Sequence, residues 1–496
     1  MPLELPRVEW ATILPETILV VGAMLILLGG ALLRRRLPAW VWTVASIIIA
    51  AGAMVSAWDL WRRVSHNHQG GAHTAIANAV VVDGFSVYFA LLTCGAVILA
   101  ALMADSYLRR ERLNAPEFHV LMLLSASGAL LMAAANDLIV IFLGLEVLSI
   151  ALYVLAGFAQ RRAVSREAAM KYFVLGAFSS AIFLYGVALA YGATGSTNLG
   201  EIAAFLRASV STHAVLLGAF AFLIVGLGFK IAAVPFHMWT PDVYQGSPTP
   251  VTGFMAAVAK AAGFAALLRI FFSTFGTHRL DWQPLIWALA VLSILVGSVL
   301  AVVQTDVKRM LAYSSISHAG YILIGLQAAT VRGLAGSLFY LLAYTFMVLG
   351  SFGIVTLVAR DGDARTGLDA YRGLGQRRPG LALVFTVLLL AQAGVPLTSG
   401  FLAKFYVISA AVEAHSYALA IIAMLAAVIA AFFYLRVIVV MYMAGDEADT
   451  ADADPIRVPF GAGLSLAVSV VATVIIGTIL AGPAFDFARH ASILRL

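Results

Sequence analysis

The stretch Gly226–Val251, GLGFKIAAVPFHMWTPDVYQGSPTPV, decides how this chain is read. It begins inside an apolar run, yet it carries Lys230, then Pro235, then His237. Proline has no backbone N–H, and its ring clashes with the carbonyl four residues back, here that of Ile231. A helix running through Gly226–Ile231 should therefore break near Pro235. The break should leave carbonyls unpaired beside Lys230, and the negative end of a helix favours a nearby ammonium. In a membrane such a break is tolerated where it is buried in protein or lines a wet cavity.

The rest of the chain supports a membrane setting. Its 496 residues are 62% hydrophobic and 11% charged, and the mean hydropathy is +0.97. Soluble domains carry roughly 25% charged residues, so a soluble globular protein is excluded. A bilayer is crossed by about 20 apolar residues, and about fourteen such runs follow one another, from one centred near residue 22 to one near residue 471. Helices are expected throughout, because each satisfies its own backbone in lipid. No cleavable leader is expected, since Glu4, Arg7, Glu9 and Glu16 stand where a basic region would. Cys94 is the one cysteine, which leaves neither an intrachain disulfide nor a cysteine metal cluster. There is no phosphate-binding loop and no histidine pair with metal or haem spacing. Gly192–Gly200 is glycine-rich and reads as an outward loop. Redox or nucleotide chemistry would have to reside on another subunit.

The net charge of +6 comes from arginines in loops. Arg34–Arg36 follow the first run; Arg109, Arg110 and Arg112 the third; Arg161, Arg162 and Arg166 the fifth. Arg360, Arg365, Arg372, Arg377 and Arg378 follow the eleventh. Loops rich in Lys and Arg stay in the cytoplasm, so both termini should face outward. Arg62 and Arg63, after the second run, oppose the pattern. Asp306, Lys308 and Arg309 read as a polar turn, Arg269 and Arg436 as snorkelling groups, and the acidic Gly445–Asp454 as a solvated loop.

Two weak echoes suggest an internal repeat. AAVPFHMW (from Ala232) resembles QAGVPLTSGF (from Gln392), and KYFVLGAFSSAIFLYG (from Lys171) resembles LFYLLAYTFMVLGSFG (from Leu338). Each pair lies five runs apart. An odd number gives repeats of inverted topology.

Ionisable groups near mid-membrane cost about 2.5 to 3.5 kcal/mol each on insertion scales, so each asks for a reason. Glu146, Lys230, Lys260 and Lys404 are the chief candidates, with Lys171, His237 and His318 beside them. Glu146, Ser149 and Tyr153 share one helix face, as do Ser314, His318 and Tyr321. Gly253, Ala256, Lys260 and Gly263 would form a face of small residues that admits a neighbouring helix. A carboxylate favours a lysine's charged form and dry surroundings its neutral one, so a Glu146–Lys230 pair of variable separation would be a proton switch. Sodium would ask for more carboxylate oxygens than these runs hold. The alternatives are packing glue and snorkelling for the lysines, and core hydrogen bonding for the histidines.

These motifs also resemble a known family. GLEVLSIALYVLAG (from Gly144), KYFVLGAFSSAIFLYGVALAYGATGST (from Lys171), PFHMWTPDVYQGSPTPVTGFMAAVAK (from Pro235), DVKRMLAYSSISHAGY (from Asp306) and AGVPLTSGFLAKFYV (from Ala393) are similar to the antiporter-like subunits of proton-pumping NADH:quinone oxidoreductase, complex I, and among them to subunit N. The resemblance implies an all-α polytopic membrane protein of about 14 transmembrane helices, the seventh and twelfth broken. It implies two inverted five-helix repeats: residues 113–272 and 273–444, preceded by three helices in 1–112 and followed by the acidic loop and last helix in 445–496. It places proton translocation on Glu146, Lys230, Lys260 and Lys404, with Lys171 and His318 at further matching positions. It implies no cofactor in this chain; FMN, iron–sulfur clusters, NADH and quinone would sit on other subunits. It implies partners among the other membrane subunits, sister antiporter-like chains included, within the lipid bilayer of a bacterial inner membrane, and no nucleic acid. A cation/proton antiporter or energy-converting hydrogenase subunit is the alternative within the same family. A structural spacer with incidental buried charges is the alternative outside it.

Overall fold

The computed structural model describes residues 9–33, 37–65, 71–113, 116–208, 214–443 and 456–494. Arg34–Arg36 and the acidic Gly445–Asp454 lie outside them. The described chain is helical apart from one small hairpin, β1 (His73–Ala75) with β2 (Val80–Val82), and its loops. The helices are α1 (Leu14–Leu33), α2 (Trp40–Ser65), α3 (Gly84–Arg110), α4 (Pro116–Ala134), α5 (Leu138–Ala156) and α6 (Ala163–Thr194). A short α7 (Leu199–Ala208) precedes α8 (Ala214–Ile231) and α9 (Trp239–Gly246). Then come α10 (Thr249–Thr274), α11 (Arg279–Val302), α12 (Val307–Gln327), α13 (Val331–Val358), α14 (Pro379–Ala393), α15 (Ser399–Glu413) and α16 (Tyr417–Tyr442). The chain closes with α17 (Phe460–Gly477) and α18 (Ala481–Ala491). Twelve of the described helices are long and apolar enough to cross a membrane. The remaining expected runs are α12, which is more polar, and the pair α14–α15, each 15 residues long.

Helices α10 and α13 are buried almost throughout, and α1, α2, α16 and α17 carry most of their side chains outward. An all-round apolar helix is expected both in a core and against lipid, so hydropathy alone does not rank them.

Two clamps at opposite ends of the bundle are built alike. Asp137 caps α5, and Asp306 caps α12. Leu138 N donates to Thr197 O (2.9 Å), and Leu199 N to Asn136 O (2.9 Å). Val307 N donates to Thr366 O (2.8 Å), and Leu368 N to Thr305 O (2.9 Å). Thr197 and Thr366 each donate a hydroxyl to the capping aspartate. The spacing between counterparts is the same throughout. It also relates two close helix crossings: a Cβ at Gly128 would lie 2.5 Å from Leu148 N, and one at Gly297 would lie 2.5 Å from Ser317 N. Both helix pairs therefore approach at a distance that only glycine permits.

The basic loops gather on one face. Arg110 donates to Thr356 O, Glu111 accepts from Gly362 N, and Arg162 pairs with Asp363. The first and last described segments lie on the opposite face: Glu9 stands 3.5 Å from His73, and His490 O packs against Gly84.

Both expected breaks are present, and neither starts at its proline. The first begins at Ala232, whose φ of 62° is left-handed, three residues ahead of Pro235. The second begins at Gly394, φ 93°. Glycine occupies such a conformation freely and alanine does not.

Candidate functional site: a buried polar path

The carbonyls at the first break are not left for Lys230, contrary to the sequence-based expectation. Gly228 O accepts from Ala233 N, and Phe229 O from Ala232 N and from the Trp239 indole at 3.0 Å. Lys230, 4% exposed, instead turns toward α5 and α6. Its Nζ donates to Ser149 Oγ (2.8 Å) and Tyr172 OH (3.3 Å). The Tyr172 ring stacks on Trp239 with centroids 4.6 Å apart. Glu146 is half-buried on α5, one turn from Ser149, and makes no ion pair within 4 Å among the described residues. Its Oε1 is buried without a hydrogen-bond partner.

Lys404 behaves in the opposite way. It folds back over its own break and donates to Gln392 O (2.9 Å) and Ala393 O (2.8 Å). It also sits 5.0 Å from the centre of the Tyr321 ring, a cation–π contact.

Lys260, 2% exposed, donates to Ser315 O and lies 5.5 Å from the centre of the Tyr344 ring. It follows a π-helical turn, Met255–Ala259. That extra residue shifts the helix face, so the predicted stripe of small residues is divided. Gly253 meets Phe352 and Met103, while Gly263 meets Ile231 and the stem of Lys230. Such bulges are often found at functional sites.

A chain of polar groups runs from Lys260 to Lys404, hydrogen-bonded except at a ring contact between Tyr344 and His318 and at Gln392, which joins through its own side chain and carbonyl. Tyr344 OH donates to Ser315 Oγ (2.8 Å), and the Tyr344 ring lies 5.1 Å from that of His318. His318 contacts Tyr340 OH through Nδ1 (2.7 Å) and Tyr434 OH through Nε2 (3.1 Å). Tyr434 pairs with Ser314, which reaches Gln392 Oε1 at 3.5 Å. Gln392 O then accepts from Lys404. Between Lys230 and Lys260 no hydrogen bond is present among the described residues; Gly263 fills that step.

Lys171 and His237 stand outside this chain. Lys171 pairs with Glu167 and with Asp242, both at 2.7 Å, and Asp242 also binds Arg309. Lys171, Glu167 and Asp242 line a cavity of about 320 Å³ with Arg162 and Asp363. His237 lies half-buried in the first break, its Nδ1 without a hydrogen-bond partner. Tyr172, next to Lys171 in sequence, is the phenol that accepts from Lys230.

Sequence reasoning missed several buried groups. Arg269 is no snorkelling group: it is fully buried, bidentate on Asp83 (2.9 and 3.0 Å), and donates to Ala133 O. Lys308 is no loop residue either. It is buried on α12, donates to Ser247 O (2.7 Å) and stands 3.6 Å from Asp363. Asp363 also accepts from Arg162, Tyr107 and Thr249 N. Burial raises the Asp363 carboxyl, but Lys308 and Arg162 together outweigh that and hold it below the usual carboxylate range.

The family model described as "NADH:quinone oxidoreductase/Mrp antiporter, TM" matches residues 135–430. A NADH-quinone oxidoreductase subunit N from Trichlorobacter lovleyi is 44% identical over 483 residues, 97% of this chain and 96% of that one. This chain belongs to the NADH-quinone oxidoreductase subunit N family. Subunit N membership also accords with structural likeness. A chain of respiratory complex I from Thermus thermophilus, solved with bound aureothin, superposes with a TM-score of 0.80 at 34% identity, covering 96% of this chain and 99% of that one. A chain of the Mrp complex from Dietzia sp. has the same fold, with a TM-score of 0.84 at 22% identity and 97% of each chain covered.

Proposed function

We propose that this subunit N homologue is the antiporter-like membrane subunit of a proton-translocating NADH:quinone oxidoreductase, and that it moves protons while electrons pass through other subunits. The observation that carries this is the buried chain from Lys260 through His318 to Lys404. Ammonium, imidazole, phenol and carboxamide groups succeed one another there at hydrogen-bond or near-contact range inside an apolar bundle. Lys230 and Glu146 form the switch at the other end. Lys230 rests on two hydroxyls, and Glu146 has an unpaired oxygen one turn away. Protons would reach Lys230 from the Lys171–Asp242 cavity by way of Tyr172. The driving energy arrives from electron transfer elsewhere, so FMN, iron–sulfur clusters and quinone belong to partner subunits.

The reading includes fourteen crossings in two inverted five-helix units, residues 113–272 and 273–444. The twin clamps at Asp137 and Asp306, at opposite ends, support it. It sets the basic face in the cytoplasm of a bacterium and both termini in the periplasm.

The test is proton translocation by the assembled complex carrying Lys260→Ala or His318→Ala. Fewer protons per electron pair are expected from both. An unchanged ratio in assembled variants would reject the path. Sodium-dependent proton flux in vesicles lacking NADH and quinone would favour a cation antiporter instead.

A further inference from the structure

We propose that a cavity outside the proton path, at the basic face between α2, α3 and α17, holds one glycerophospholipid. Arg109 would bind its phosphate diester, and an acyl chain would run along Val44, Ile47 and Leu102. The cavity encloses about 610 Å³ and is graded from polar to apolar. Trp40, Arg109 and Phe460 stand at the helix ends, and Asp105 and Ser106 just inside. Val44, Ile47 and Leu102 lie one to two turns deeper. That order follows a bilayer leaflet from headgroup to hydrocarbon, with aromatic residues at the interface where they are enriched.

The polar end is built from within. Arg109 pairs with Asp105 through one terminal nitrogen while its side chain is 52% exposed, so the rest of its fork remains for a phosphate. Asp105 accepts from Thr43 Oγ1 at 3.2 Å. Thr43 in turn meets His119 Nε2 at 3.4 Å, and Ser46 Oγ meets His119 Nδ1 at 3.2 Å. His119 is 2% exposed, so a buried relay fixes the carboxylate that orients Arg109. Arg110, Arg112 and Arg457 stand nearby in sequence on this basic side, which suits the anionic leaflet.

The experiment reconstitutes the assembled complex in vesicles containing a phosphatidylglycerol with a photoreactive acyl chain, then maps cross-links by mass spectrometry. Labelling is expected on the segments around Val44–Ile47 and Leu102. Arg109→Gln should lower it about tenfold, the factor for one lost charge-assisted hydrogen bond, with Arg109→Lys partly restoring it. Val44→Trp should abolish it by filling the cavity. If that variant does not assemble, Ser106→Ala combined with Arg109→Gln tests the headgroup end alone. Labelling indifferent to Arg109 would overturn the proposal, as would cross-links from these residues only to a helix of another subunit.

Discussion

The two halves of the bundle share a clamp, a glycine-tight helix pair and a broken helix, but they hold their lysines differently. Where the first half has Glu146 and Ser149 on α5, the spacing that relates the clamps puts Ser315 and His318 on α12. Lys230 leaves its break and leans on hydroxyls of two neighbouring helices. Lys404 stays at its break and satisfies two carbonyls that the break exposes. The second clamp is reinforced as well: its loop carries Asp363 into Arg162 and Lys308, whereas the first clamp is held by hydroxyl and amide groups. Hydroxyls rotate and have other acceptors within reach. A backbone carbonyl stripped of its donor in a dry interior has none. Under the proposed function, the first half is the one that would switch, and the second the one that would stay fixed.

This contrast is open to attack, beginning with the largest effect. Asp363→Ala should destabilise the second half by about 3 to 5 kcal/mol, because it leaves Lys308 and Arg162 as uncompensated buried charges. Chemical denaturation of the purified complex in detergent reads this, with Asp137→Ala as the milder counterpart. The same site sets an acid limit. The folded Asp363 carboxyl lies below its unfolded value near about 3.9. Its contribution is therefore present above that value and lost as pH falls through the lower folded value. Wild type should lose stability there, and Asp363→Asn should show a flatter acid limb.

Next, Lys404→Met should cost about 1 to 3 kcal/mol, from the carbonyls of Gln392 and Ala393 left without donors. Faster hydrogen exchange at residues 393–399 would show it. Lys230→Met should cost less than about 1 kcal/mol, since Ser149 and Tyr172 can turn to other partners. Equal stability losses in the two lysine variants would remove the contrast. Tyr172→Phe should be smallest in stability, about 0.5 to 1.5 kcal/mol at most for one hydrogen bond. It should still slow proton delivery to Lys230, measurable as pumping rate against external pH.

What the sequence disclosed follows from charge in an apolar setting. Glu146, Lys230, Lys260, Lys404 and His318 are conspicuous where charge is expensive, and four of these five are more than nine-tenths buried. The phenols that connect them are not conspicuous. Tyr340, Tyr344 and Tyr434 read as ordinary aromatic residues of apolar helices until the fold puts them beside His318. Arg269 reads as snorkelling because its partner, Asp83, is 186 residues away in sequence. The π-helical turn before Lys260 has no sequence signature, so a face inferred from helical spacing alone runs straight from Gly253 to Gly263 across it. The proline rule found both broken helices but not the residues where they turn, because Ala232 and Gly394 bend the chain before Pro235 and Pro396 do.

The central claim is that Lys230 carries protons rather than bracing α8. The proton-to-electron ratio of the assembled complex bearing Lys230→Met tests it most directly, since that change keeps the side chain's bulk and removes its titratable group. The account predicts fewer protons per electron pair in a complex of near-normal stability. A wild-type ratio in that complex would contradict it.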